Sequence, residues 1–228
     1  MRYVIGVGKA WCEDLPSRLE ARTGDTFHVV RQPNELSLAA VAEVEPRYVF
    51  FPHWSWKIPA EIYEEHECVI FHMTDVPFGR GGSPLQNLIL RGHTTSKVSA
   101  LRCVEEMDAG PVYLKRDFSL EGSAREIFAR LEGIIEGMIV ELIQNQPTPV
   151  PQAGEPVYFA RRTPEQSDIA ELGSAREIYD HIRMLDAEGY PHAFIETPAM
   201  HLEFTDAQLE GGGVTARATI RERSSSES

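Results

Sequence analysis

The chain has 228 residues, 42% of them hydrophobic and 25% charged, and a formal net charge of −13 from 35 acidic against 22 basic residues. These proportions belong to ordinary globular proteins, so disordered and fibrous classes are excluded, and the length suits one sizeable domain with a small one. The acidic balance disfavours nucleic acid as a partner, because that binding uses a basic surface to displace counterions; it leaves room for a local basic pocket that takes a phosphate-bearing small molecule.

In chain order, runs 3–7, 27–30, 48–51, 69–73 and 98–104 are short and almost continuously apolar. They predict strands of an α/β sheet covered on both faces, with helical segments between them. After the fourth run, TDVPFGRGGSPLQ has glycines at 79, 81 and 82 between prolines at 77 and 84, which predicts a loop entering a helix at about Leu85. Segment 123–144 is the clearest helix: Ser123 and Glu126 form a capping box, and Ile127, Leu131, Ile134, Met138 and Leu142 form an apolar stripe. Four prolines and a glycine in 145–156 cannot continue it. They predict a boundary between a first domain, 1–148, and a small α+β or barrel-like second one, 149–221, with 222–228 a frayed polar tail. In the second part, Ser174 and Glu177 cap a helix to about Leu185, and 193–196, 201–204 and 214–220 predict short strands. The string SAREI at 123–127 and 174–178 reflects two helices needing the same cap.

Cys12, Cys68 and Cys103 lack CxxC or Cys/His spacing and predict buried, reduced thiols and no metal site. The start, MRYVIGVGKAW, has no cleavage site, and no 18-residue apolar stretch follows, so a cytoplasmic chain without membrane contact is expected.

Ligands of α/β sheets lie beyond the carboxyl ends of strands, and His72 is placed there with the glycine-rich loop after it. A core histidine satisfied by backbone has the same sequence appearance. Asp108, in EEMDAGP, sits on a turn marked by Gly110 just after 98–104, either as an ordinary turn aspartate or as a partner for His72. Together the two residue types supply general acid–base chemistry, the carboxylate orienting the imidazole while a proton leaves an amine. His53, Trp54 and Trp56, on a loop after 48–51, are costly to expose, and form either a ligand wall or the anchor of a surface loop. Lys9, Trp11 and Arg80 lie near predicted strand ends, where they meet an acceptor's phosphates or make salt bridges. GVG at 6–8 lacks the third glycine of a dinucleotide fingerprint.

HMTDVPFGRGGSPLQ resembles the signature of the 10-formyltetrahydrofolate-dependent formyltransferases: His72, Pro77, Arg80, Gly81, Pro84 and Gln86 fall in register with it. Met-Asp-Ala-Gly at 107–110 resembles that family's Leu-Asp-Ala-Gly, at the family's spacing from the histidine. YFARRTP at 158–164 and parts of 182–194 are similar to the carboxyl-terminal domain of the methionyl-tRNA and aminosugar formyltransferases. The resemblance implies a Rossmann-like catalytic domain with 10-formyltetrahydrofolate as co-substrate. Its pterin is expected at His53, Trp54 and Trp56, and Gly82 and Gly110 are expected beside the folate. An acceptor amine attacks the formyl carbon, His72 donates to the oxyanion, and Asp108 acts as base.

The chain departs from the family at Ile70, where an asparagine is usual, since an apolar side chain donates no hydrogen bond to an oxyanion. Thr74 and His53 are the candidate replacements, and Asp75 adds a carboxylate that could hold a cationic substrate. Within the family, the acidic balance and short second domain imply a nucleotide-linked amino sugar of the amino-dideoxy type as acceptor, for surface polysaccharide. Methionyl-tRNA, hydroxyornithine, hydrolysis of the formyl donor and an inactive binding protein are the alternatives. The partners implied are that nucleotide sugar, no nucleic acid and no membrane, with a homodimer left open.

Overall fold

The computed structural model describes residues 1–223, which form two compact units. The first comprises Met1–Gly81, Ser96–Phe118 and Ala129–Phe159; the second comprises Gly82–Thr95, Ser119–Phe128 and the chain from Ala160 onward. The division at 148/149 is a proposal from composition, whereas grouping by packing places 82–95 and 119–128 with the later residues.

The first unit is built on β1 (Arg2–Gly6), β2 (Thr26–Val30), β3 (Val49–Phe51), β4 (Cys68–His72), β6 (Thr95–Arg102) and β7 (Val112–Ser119), in the order β2-β1-β3-β4-β6-β7. β2, β1, β3 and β4 run parallel, and β6 is antiparallel to β4. Parallel neighbours need a crossover, supplied here by α1 (Leu15–Thr23), α2 (Leu38–Val44) and α3 (Ala60–Glu65). Residues of β3 are all buried, and only Ile70 of β4 is partly exposed, as expected where both faces of a strand are covered. Tyr3, Phe27, Tyr48 and Phe50 interlock with ring centroids 5.1 to 6.5 Å apart at the heart of this core. The sequence expectation of an α/β fold with a small mixed second part therefore holds.

The expected loop after His72 contains a strand instead. β5 (Phe78–Gly81) pairs in parallel with β8 (Val157–Phe159) in a two-stranded sheet. Its glycines hid it from a propensity argument, yet the pairing requires them: a Cβ on Gly81, at φ 105°, would stand 2.5 Å from the Phe159 carbonyl oxygen. Helix α5 (Ala124–Asn145) follows β7 as expected.

In the second unit α4 (Pro84–Leu90) and α6 (Ala175–Arg183) accompany an antiparallel sheet of β9 (Ala193–Glu196), β10 (Met200–Glu210) and β11 (Gly213–Glu222), in the order β11-β10-β9. Both of the last two strands run beyond the expected 201–204 and 214–220, β10 by the greater margin, and they meet at Gly211 and Gly212, which take positive φ in a two-residue hairpin turn. Arg221 and Glu222 pair with His201 and Met200, so the expected tail is strand at its start; residues 224–228 lie outside the described residues.

Both SAREI strings are helix starts. The Glu126 carboxylate accepts from Ser123 N–H at 2.8 Å, and Ser174 Oγ accepts from Glu177 N–H at 3.2 Å. Ser174→Ala should lower the stability of the second unit by about 1 kcal/mol while Ser174→Asp leaves it nearly unchanged. Denaturant midpoints followed in that unit check this.

Candidate functional site

β4 delivers His72 to its carboxyl end, where the ring is 8% exposed. Nε2 lies 2.7 Å from the Gly79 carbonyl oxygen, and Nδ1 lies 3.4 Å from Asp108 Oδ2. A carbonyl only accepts, so Nε2 carries a hydrogen. Nδ1 is left facing the Asp108 carboxylate across that 3.4 Å gap. This is the arrangement from which a proton is passed to or taken from a substrate.

Asp108 reaches His72 from the turn between β6 and β7. Its φ is 54°, a left-handed conformation that aspartate tolerates. Oδ2 also accepts the Gly81 N–H at 2.9 Å, so the carboxylate is fixed from two sides. The turn must approach β6 closely: a Cβ on Gly110 would fall 1.8 Å from the Arg102 carbonyl oxygen. Backbone packing accounts for Gly110. For Gly82, in the second unit, a Cβ would meet Arg161 Cβ at 2.6 Å, again a matter of packing.

Thr74 is fully buried and donates its hydroxyl to the same Gly79 carbonyl at 3.2 Å, while its own carbonyl accepts from Ser99 Oγ at 2.7 Å. Its hydroxyl therefore fixes the loop that holds His72. Asp75 is paired with Lys115 and, at 3.0 Å, with Lys97; partial burial opposes ionisation, but the two ammonium groups outweigh it and keep the carboxyl below its ordinary range. With both oxygens engaged, it offers little to a cationic substrate. Arg80, 8% exposed, donates to Gln152 Oε1 at 2.8 and 3.1 Å and to Glu106 at 3.0 Å, with the Tyr158 ring beside it. A guanidinium so enclosed is a structural centre and has few donors left for phosphates.

The aromatic loop forms a second group. Trp11 meets His53 edge-on at 4.3 Å between centroids, and Trp54 meets Trp56 edge-on at 4.8 Å. Burial, helped by Lys9, pushes the His53 imidazole down to about 3, so it is neutral at physiological pH. Gly6 and Gly8 exist for this packing: Cβ atoms there would lie 2.9 Å from Trp54 and 2.8 Å from Trp56. Trp54 Nε1 is a buried donor without an acceptor among the described residues. Ile70, two positions before His72 and so on the same face of β4, packs with Trp54 against the cluster around Val49 and Phe51.

Sequence reasoning passed over Ser99 and Gln152, and gave Glu106 and Tyr158 no role of their own within the motifs that contain them. Gln152 lies in the proline-rich segment, where composition suggested only a linker, and no local pattern distinguishes it. Among the described residues no group of three or more His, Cys, Asp or Glu side chains is placed to hold a metal, and no helix is long and apolar enough to cross a membrane.

Comparison with known proteins adds relatives to this geometry. Residues 164–221 match the family described as methionyl-tRNA formyltransferase, C-terminal domain. A solved methionyl-tRNA formyltransferase from Clostridium thermocellum is 44% identical, with a TM-score of 0.95 over 98% of this chain and 100% of that one. The methionyl-tRNA formyltransferase of Gluconobacter oxydans is 35% identical over 130 residues, 56% of this chain and 42% of its own length. HypX from Aquifex aeolicus, solved with tetrahydrofolic acid, shares the fold at 20% identity and a TM-score of 0.74, over 91% of this chain and 38% of its own. The chain spans about half the length of the curated relatives it matches.

Two expectations are overturned. An amino-sugar acceptor and the absence of a nucleic-acid partner were inferred from acidic charge and a short second domain. A relative spanned end to end by this chain is a methionyl-tRNA formyltransferase, so a second domain of this length does not separate the acceptor classes. Net charge is a sum over the whole surface and does not report local potential.

Proposed function

Because this chain belongs to the formyltransferase family, a full-length relative being 44% identical, we propose that it transfers a formyl group from 10-formyltetrahydrofolate to the amine of methionyl-tRNA. The observation that carries the chemistry is the His72–Asp108 pair, 3.4 Å apart at the end of β4. The formyl donor supplies an electrophilic carbonyl carbon. His72 and Asp108 take the proton that the amine loses when it attacks that carbon and return it to the departing folate nitrogen, and Gly79 and Gly81 keep ring and carboxylate in place.

The wall of Trp11, His53, Trp54 and Trp56 fits a flat heteroaromatic group. Its buried Trp54 N–H, lacking an acceptor among the described residues, suits the polar edge of a pterin. The acceptor follows the most extensive likeness among the relatives described.

The test is to mix the protein with 10-formyltetrahydrofolate and charged initiator methionyl-tRNA, and to follow both tetrahydrofolate and formylmethionine. Stoichiometric formation of the two is expected. Folate binding without formylmethionine would overturn the acceptor, and formate released without any acceptor would identify a hydrolase.

A further inference from the structure

We propose that Gln152 is a positioning residue that fixes the Asp108 turn, its Nε2 donating to the carbonyls of Asp108 and Gly110 while its Oε1 accepts from Arg80. Both donated bonds are 2.8 Å, and the accepted ones are 2.8 and 3.1 Å. This rests on Asp108 and His72 being the reacting pair.

The orientation of the amide is dictated by its neighbours. A guanidinium has donors only, so the amide oxygen faces Arg80, and the two N–H groups are left for the two carbonyls, which only accept. The contacts then close a ring. Gln152 holds the backbone of Asp108; Arg80 holds Gln152; Gly81, next to Arg80 in the chain, donates its N–H to the Asp108 carboxylate. Glu106, on the same turn as Asp108, accepts from Arg80 at 3.0 Å and from the Tyr158 hydroxyl at 2.7 Å, which closes a second ring. A left-handed aspartate on a turn has a backbone that could rotate and carry its carboxylate away from His72. The amide ties the Asp108 and Gly110 carbonyls, which follow that aspartate's Cα in the chain, to a buried arginine.

Misplacing a catalytic group by about 1 Å costs on the order of 10²-fold in turnover. Gln152→Glu retains an acceptor for Arg80 and presents oxygen, in place of N–H, to the two carbonyls; Gln152→Ala removes both contacts. Both variants are expected to lose roughly 10²-fold in kcat with KM for 10-formyltetrahydrofolate little changed. Both should also displace the nitrogen-15 resonances of the His72 ring in the direction that Asp108→Asn displaces them, a signature that a change of stability alone does not produce. Unmoved ring resonances in both variants would overturn the proposal. So would displacement by Gln152→Ala with none by Gln152→Glu, which would assign the effect to Arg80 alone. If the parent protein transfers no formyl group to methionyl-tRNA, the functional reading fails while the ring resonances still decide the role of Gln152.

Discussion

Asp108→Asn is expected to lower formyl transfer by about 10³-fold, within the range that a positioned acid–base group contributes, with little change in melting temperature. Asparagine has the same shape, tolerates the left-handed backbone at this position, and keeps an oxygen for the Gly81 N–H. What it cannot do is act as a carboxylate base beside Nδ1 of His72, 3.4 Å away. Single-turnover formation of tetrahydrofolate, measured beside thermal melts, separates the two effects. Retention of more than about a tenth of the parent rate would place the proton transfer elsewhere.

Gly110→Ala should damage both stability and activity. Its φ is not the obstacle; the obstacle is the Arg102 carbonyl oxygen, 1.8 Å from where the methyl group would stand. That oxygen is backbone on β6 and cannot swing aside as a flexible side chain would. The Arg102 N–H donates at 2.9 Å to the Pro111 carbonyl, tying the same two segments together. Overpacking a relaxed site costs about 1–3 kcal/mol, and a rigid obstacle places this change at the upper end or above. For a chain of this size roughly 3 kcal/mol corresponds to a fall of about 6–12 °C in melting temperature. The displaced turn also carries the Asp108 carboxylate off His72, so turnover should fall even at temperatures where the variant is folded. An unchanged melting curve would mean that the turn has room that its contacts do not reveal.

The two substitutions probe different levels of one structure. Asn at 108 tests chemistry on an intact turn, while Ala at 110 tests whether that turn can exist at all. The departure at Ile70 belongs to a third level. Thr74 is committed to the Gly79 carbonyl, so its hydroxyl does not stand as an uncommitted donor in the place of the missing asparagine.

Features set by near neighbours in the chain were legible without the structure. Strands 3–7, 48–51 and 69–73 announce themselves because burial on both faces demands uninterrupted apolar residues, and both SAREI helices do so because a cap and its glutamate lie within one turn. His72 and Asp108 were legible as a pair through a motif whose spacing is fixed by the fold around it. Tertiary structure decided what each candidate side chain was free to do. Arg80 is engaged by Gln152, far along the chain, and Asp75 by lysines on β6 and β7. The glycines at 6, 8, 81 and 110 answer to Trp54, Trp56, Phe159 and Arg102. Sequence periodicity reports the environment of a face, averaged over a dozen residues. Hydrogen-bond partners and the space left for a Cβ are set atom by atom, by segments that only folding brings together.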